Sequence, residues 1–323
     1  MYQEYLEIVM PTETVAIIGS GRIGRGWAIV FARAGFNVNV HDANSEMLAG
    51  AISAIRDSVA DLNGYGLIDE PVDTIVARVK ACPDLAEAVR DVVLVQENIG
   101  EVADAKRTLF ADLDRLTRPD TLLASSTSGL PTSSFTEGLE GQARCLVGHP
   151  VNPPSLVPLV ELSGAPWTSP ESIAKAREIY ARAGQKPVTV NFEISGFLLN
   201  RIQGAVLDEA MSLYEQGYAS AADLDTVMSD GLAMRWSFMG PFETIDLNAP
   251  GGLADYADRY GGTYQTIASE RQPFTWGPET IKKLHDERRA ILSKDEIEAR
   301  SRWRDRRLMA LLAHRRSLKS EES

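Results

Sequence analysis

The sequence predicts a doubly wound, mostly parallel α/β unit over residues 11–192 followed by an all-α unit over residues 193–323, and three observations predict it. Short apolar runs rich in β-branched residues alternate with stretches of helical periodicity from Val15 to Val190. A glycine-rich turn joins the first such run to the first helix, and from Gly196 onward only helical periodicity remains. Strand–helix alternation implies a parallel sheet covered on both faces, whereas a run of helices with no strands packs as a separate layer.

The first element is the most specific. Val15 to Ile18 is a short apolar strand, Gly19, Gly21 and Gly24 have the spacing G-x-G-x-x-G, and Ile23 to Ala34 is helical. Gly19 permits the tight turn, Gly21 lets a pyrophosphate approach the backbone, and Gly24 lets helix pack closely on strand. The opening residues of that helix, Arg22 and Ile23, present N–H groups to phosphate oxygens. A second strand, Phe36 to Val40, leads to Asp42, at the distance of about 20 residues at which an acid meets a ribose 2′-hydroxyl. Its charge repels a 2′-phosphate, so this Rossmann-type pattern predicts NAD over NADP.

Asn44 then caps a helix carrying Met47, Leu48, Ala51, Ile52 and Ile55 on one face. Val72–Val79 reads as a short helix, Asp91–Gln96 as a strand buried on both faces, and Val102–Leu116 as a helix stopped by Pro119. Thr121–Ala124, Arg144–Gly148, Leu159–Leu162 and Lys186–Val190 are further strands. Ser169-Pro170 opens the helix between the last two, with Ser at the cap and Pro in the first turn. In the second unit, Phe197, Ile202, Ala205, Val206, Leu213 and Tyr214 lie along one helix to Gln216, and a helix from Ser220 ends at Gly231. Shorter helical pieces follow at 242–247, 253–260, 278–292 and 294–313. The first of these helices is apolar over most of its girth, which predicts burial against a second copy and a homodimer formed through the C-terminal unit.

Composition narrows the function. A net charge of −12 argues against general nucleic-acid binding, which needs a basic surface. The sequence shows neither a long apolar span nor a charged-then-apolar leader, so no membrane or secretory segment is expected. The opening MYQEYLEIVMPTE reads as a mildly acidic extension, with Met10 as an alternative start. The two cysteines, Cys82 and Cys145, read as reduced thiols of a cytoplasmic protein, and no metal site is expected. Arginines crowd residues 300–316, a solvated helix face or an anion-binding or subunit-facing one.

His149 in GHPVNPP and Glu161 in LVPLVEL are the candidates for proton transfer. An imidazole titrates near neutrality and suits removal of a hydroxyl proton, and a carboxylate on its far nitrogen fixes the tautomer and stabilises imidazolium. Four prolines between them make a rigid excursion that folds Glu161 back.

The strings SSTSGLP, GHPVNPPSLVPLVEL, SGFLLNRIQ and GLAMRWSFMGPFETIDLN resemble the 3-hydroxyacyl-CoA dehydrogenase family, most of all its lambda-crystallin branch with L-gulonate 3-dehydrogenase activity. The likeness runs from Val15 to about Tyr260 and implies catalytic His149 with partner Glu161. It further implies substrate contacts from Ser128 and Asn200, with Asn152 in support, and cofactor contacts from Glu101 and Lys106, which read otherwise as a solvated helix start. Arg235 in GLAMRWSFMGP, absent from the acyl-CoA branch, implies a carboxylate-bearing substrate gripped by a guanidinium fork, with Arg201 as the other candidate and a surface pair with Asp230 as the plainer role. The expectation is an NAD-dependent oxidation of the 3-hydroxyl of a small hydroxy acid. L-gulonate comes first, L-carnitine or a short 3-hydroxyacyl-CoA next, and a non-catalytic crystallin-like NAD-binding protein is the reading from another class.

Overall fold

A computed structural model describes residues 12–321, so all but the last two residues of the extension read in residues 1–13, Met10 included, lie outside the described residues. Contacts divide the chain into two compact units, one running to Leu198 and resuming at Ala299, the other spanning Leu199–Glu298.

The first unit is built from β1 (Thr14–Ile18), α1 (Arg22–Arg33), β2 (Asn37–His41), α2 (Ser45–Gly64), α3 (Val72–Ala77), β3 (Val79–Ala81), α4 (Leu85–Ala88) and β4 (Leu94–Glu97). It continues through α5 (Ala103–Leu116), β5 (Leu122–Ser125), α6 (Ser133–Thr136), β6 (Cys145–Pro150), β7 (Leu159–Gly164), α7 (Pro170–Arg182) and β8 (Lys186–Val190). The strands form one sheet in the order β3-β2-β1-β4-β5-β6-β7-β8. Neighbours run parallel except β6 and β7, which are antiparallel. Winding reverses between β1 and β4, the place where an open α/β sheet leaves a crevice at its strand ends.

Alternation along β1 explains why it reads as unbroken apolar sequence. Val15 and Ile17 point into a core shared with Trp27, Phe31 and Tyr180, while Ala16 and Ile18 point into a second core with Phe110, Leu113 and Phe135. Both faces are dry, so no polar residue interrupts the strand. Asn44 caps α2 by accepting from the N–H groups of Glu46 and Met47, and Ser169 caps α7 by accepting from Ser172.

Several elements differ from expectation. The stretch expected as one helix over Val72–Val79 ends at Ala77 and turns into the edge strand β3, whose brevity leaves no alternation to read. Asp91 has positive φ and stands outside β4. Met47 is exposed, and Leu48, Ala51, Ile55, Val59 and Leu62 form the buried stripe of α2. Phe197, expected on the first long helix, precedes it with φ 50° and is buried in the second core of the sheet.

The second unit consists of α8 (Leu199–Glu215), α9 (Ala221–Thr226), α10 (Ala233–Trp236), α11 (Pro241–Asp246), α12 (Gly252–Glu270) and α13 (Pro278–Ile291). Gly231 does not end the helix begun at Ser220. A π-helical stretch, Val227–Leu232, carries the chain on into α10.

The last helix, α14 (Ile297–Glu321), was expected in the helical unit, yet from Ala299 it belongs to the first. Met309 is buried in the core shared with β1 and α1, with Leu308 and Leu312 packed beside it, and Arg316 binds Asp69 and the Gly66 carbonyl. The arginines around this apolar trio hide it from a periodicity reading. Trp303 is stacked by Arg300 at 3.5 Å and faced by Arg307 at 5.5 Å.

Candidate active site

Gly19 adopts φ 95°, and a Cβ there would stand 2.8 Å from the Asn98 carbonyl oxygen. A Cβ on Gly24 would fall 1.8 Å from the Gly19 carbonyl oxygen, so helix and turn touch backbone to backbone. At Gly21 a Cβ would meet nothing within 4 Å. Open space at that position, beside the start of a 12-residue helix whose N-cap is a glycine with no capping side chain, is a cradle that fits a pyrophosphate. Arg22 is exposed there and Ile23 half-buried.

Asp42 follows β2 and is held in place by Ser20, which donates from its N–H at 2.7 Å and its hydroxyl at 2.8 Å to Oδ2, while the Asn44 N–H donates to Oδ1 at 2.9 Å. Partial burial raises the carboxyl's pKa, but the hydrogen bonds from Ser20 and Asn44 and the nearby His41 outweigh it and hold it below its ordinary value. The ionised group keeps acceptor capacity for ribose hydroxyls.

Glu101 reaches from the loop after β4 to the loop after β5, accepting from the Ser128 N–H and, at 3.0 Å, from the Thr127 hydroxyl. It thereby fixes the segment that carries Ser128, whose side chain lies in the exposed part of the loop. Lys106 stands behind this site. It is buried, its Nζ donates to both oxygens of Glu97 at 2.8 and 2.9 Å, and Glu101 is 3.8 Å away. Glu97 also accepts from the Ser125 hydroxyl and the Ile99 N–H. Burial draws the Glu97 carboxyl above its ordinary range against the downward pull of Lys106, Ser125 and Ile99.

His149 and Glu161 are direct cross-strand partners on β6 and β7. Antiparallel pairing, added to the proline excursion, brings them together. His149 Nδ1 lies 2.8 Å from Glu161 Oε2, and the Leu198 N–H donates to Oε1 at 2.8 Å. The His and Glu side chains are 6% and 1% exposed, with the Phe197 ring 5.4 Å from the imidazole. An Nδ1–H donated to a buried carboxylate leaves Nε2 with its lone pair, the form a general base requires. Asn152, itself exposed on the connection after β6, precedes a cis peptide to Pro153.

In the helical unit, Asn200 sits in the first turn of α8 and Arg235 on α10. Arg235 is exposed, and among the described residues no carboxylate pairs with it; Asp230 instead accepts from Ser229. Arg201 is exposed as well. Sequence reasoning missed Ser20, which braces Asp42, Asn98, whose carbonyl packs on Gly19, and Gln96 and Ser126, whose hydrogen bonds lead to Asn98 from behind. The only signal for them was a cluster of small polar residues closing apolar strands. Both cysteines are buried and free, and burial pushes the Cys145 thiol up to about 12, which leaves it unsuited to nucleophilic work. Among the described residues no group of three potential ligands for a metal occurs, and no helix is long and apolar enough to cross a membrane.

Residues 14–193 match the family model for the 3-hydroxyacyl-CoA dehydrogenase NAD binding domain, and residues 196–283 match that for the C-terminal domain. The chain belongs to the 3-hydroxyacyl-CoA dehydrogenase family. Lambda-crystallin of Oryctolagus cuniculus is 39% identical over 95% of the chain and 98% of its own length. An L-carnitine dehydrogenase of a Pseudomonas species is 34% identical over 93% of each. Among solved structures, the NAD+-dependent 5-formyl-3-hydroxy-2-methylpyridine 4-carboxylic acid 5-dehydrogenase has a TM-score of 0.81 at 28% identity, covering 95% of this chain and 99% of its own. A member of the 3-hydroxyacyl-CoA dehydrogenase family is an NAD-dependent oxidoreductase, and the glycine turn and Asp42 are the residues of this chain that fit the dinucleotide. When bound, NAD supplies the hydride acceptor.

Proposed function

We propose that the chain oxidises the 3-hydroxyl of a small, carboxylate-bearing hydroxy acid to the 3-keto acid, with L-gulonate as the first substrate to try. The observation that carries this reading is the buried His149–Glu161 pair, which leaves Nε2 of His149 to take the hydroxyl proton while Glu161 stabilises the imidazolium. Ser128 and Asn200 donate hydrogen bonds to the reacting oxygen, with Asn152 in support. Glu101 acts on the cofactor side both directly and through the Ser128 loop, and Lys106 acts behind it through Glu97.

Arg235 binds the substrate carboxylate in this reading, supported by its exposure and by its having no acidic partner among the described residues; Arg201 is the other candidate. The relatives point the same way. L-carnitine and the methylpyridine carboxylic acid named above both carry a free carboxylate, which keeps L-carnitine as the second reading. A purely structural, crystallin-like role has the relative's name in its favour and the intact proton-transfer pair against it. Two buried free thiols support a reducing, cytoplasmic setting.

The test is a panel of L-gulonate, L-carnitine, 3-hydroxybutyrate and 3-hydroxybutyryl-CoA with NAD, followed by NADH absorbance, on the wild type and on His149→Gln. Turnover of a free acid that His149→Gln abolishes supports the reading, and no turnover of any 3-hydroxy compound sinks it. Arg235→Lys is expected to raise KM for the acid and leave NAD binding alone, because an ammonium lacks the two parallel donors of a guanidinium. Equal discrimination between acid and methyl ester by wild type and Arg235→Ala would move the clamp to Arg201.

A further inference from the structure

Gln96, the third residue of β4, is fully buried beside an equally buried Tyr180. Its Oε1 accepts from the Tyr180 hydroxyl. Its Nε2 donates to the Ser126 hydroxyl at 2.7 Å and to the Gly148 carbonyl at 3.2 Å. Ser126 also accepts from Trp27 Nε1 at 3.0 Å and donates to Asn98 Oδ1 at 2.7 Å. Asn98 in turn donates from Nδ2 to the Ile18 carbonyl at 3.3 Å and the Gln96 carbonyl at 2.8 Å. Each donor in the chain is used and the hydroxyl of Ser126 has its full set of one donated and two accepted bonds, so the amide of Gln96 has one orientation only.

The location of this network gives it a consequence for the reaction. The β5–β6 ladder stops at Ser125↔Val147, and the next carbonyl of β6, that of Gly148, accepts from the Gln96 side chain. The residue after it is His149. A Cβ on Gly148 would lie 2.3 Å from the Tyr180 hydroxyl oxygen, so the strand runs in contact with this network. Burial keeps the Tyr180 phenol protonated as a donor, well above its ordinary range. Stability alone does not demand the arrangement, because apolar residues of the same shape can replace a buried polar set at little cost. What only the amide supplies is a fixed direction for the peptide that precedes the imidazole.

We propose that Gln96 is a positioning residue for His149, holding the Gly148 peptide from the side opposite Glu161 and tying it through Ser126 and Asn98 to the floor of the dinucleotide turn. The proposal rests on the reading of His149 as the base. In Gln96→Leu both donors, to Gly148 and to Ser126, are lost; in Gln96→Glu, made should the first variant not fold, at most one remains, on a protonated carboxyl. Misplacing a reacting group by an ångström costs about 100-fold, so kcat is expected to fall about 10- to 100-fold while KM for NAD stays within about twofold. Tyr180→Phe is the control. It removes the bond to Oε1 and lowers the melting temperature, yet it leaves both Nε2 bonds in place and kcat near the wild-type value.

A second readout needs no substrate. The Nδ1 proton of His149, bonded to buried Glu161, gives a downfield NMR resonance in the wild type and in Tyr180→Phe, and it is lost or shifted in the Gln96 variants. Gln96 variants with wild-type kcat and an unmoved His149 resonance overturn the proposal, as does a kcat loss in Tyr180→Phe as large as theirs. A wild type that turns over no 3-hydroxy compound fails the functional reading instead, and the resonance then decides whether Gln96 positions His149.

Discussion

Asp42 shows how one side chain sets coenzyme choice. Its carboxylate is fixed by three hydrogen bonds from Ser20 and Asn44, and they hold it ionised below the ordinary carboxylate range. Replacing it with Ser removes a charged acceptor for the ribose and the repulsion of a 2′-phosphate. NAD binding is expected to weaken by about 1–3 kcal/mol and NADP binding to strengthen, measured by titration calorimetry with both dinucleotides. A wild type that prefers NADP would show that the Asp42 carboxylate does not face the ribose. Asp42 was legible because it falls at a fixed distance from a glycine pattern with a known backbone reason. Ser20 was not, although it supplies two of the three bonds, because a Ser inside a turn carries no spacing signal of its own. Gln96, Asn98 and Ser126 were hidden for the same reason. Gln96 meets Tyr180 of α7 and Gly148 of β6 only through the tertiary fold, which no local window contains.

At the scale of elements, the strand–turn–helix from β1 to α1 separates two kinds of glycine. Gly24→Ala forces a Cβ to within 1.8 Å of the Gly19 carbonyl oxygen and is expected to lower the melting temperature sharply. Gly21→Ala meets no protein atom within 4 Å, so its melting temperature should match the wild type while NAD affinity drops, because the added methyl occupies the cradle. Thermal melts with and without NAD distinguish the two, and equal destabilisation by both would refute the assignment. Behind the turn, the buried Glu97–Lys106 pair joins β4 to α5. Lys106→Met leaves a carboxylate buried without its cation, a loss of about 3–5 kcal/mol. Burial raises the folded pKa of Glu97 above its unfolded value, so the folded state holds the proton more tightly and stability is lost as pH rises through the folded value. Without Lys106 that shift grows, and the variant's melting temperature should fall more steeply than the wild type's between mildly acidic and neutral pH. A parallel pH dependence would mean the pair is not coupled. The elements that sequence reasoning placed well are those with long periods or caps, such as α1, α2 and α7. β3 has three residues and no pattern, and the π-helical passage at Val227–Leu232 disguises a continuing helix as one stopped by Gly231.

For the whole molecule, the two units differ in how completely they bury their own apolar residues. The sheet has two dry cores, whereas in the helical unit Ile202, Met234, Phe238, Phe242 and Leu247 are all exposed, Phe242 at 76% and Ile202 at 64%. Soluble chains rarely leave so many large apolar side chains to water on one compact unit unless something covers them. A second copy of the chain is the partner this points to, since a stable two-fold interface needs only about 1,200–2,000 Å² in total and aromatic residues dominate its energetics. Burying one such side chain is worth about 1.5–3 kcal/mol, so a charge placed among them is costly to the dimer and harmless to a monomer. Light scattering should therefore give twice the 35.3 kDa of the chain for the wild type. Phe242→Asp should shift the population to single chains and lower the melting temperature, while NAD affinity, which resides in the other unit, stays close to the wild-type value. A wild type that scatters as one 35.3 kDa chain at all concentrations removes the second copy as the cover for this surface.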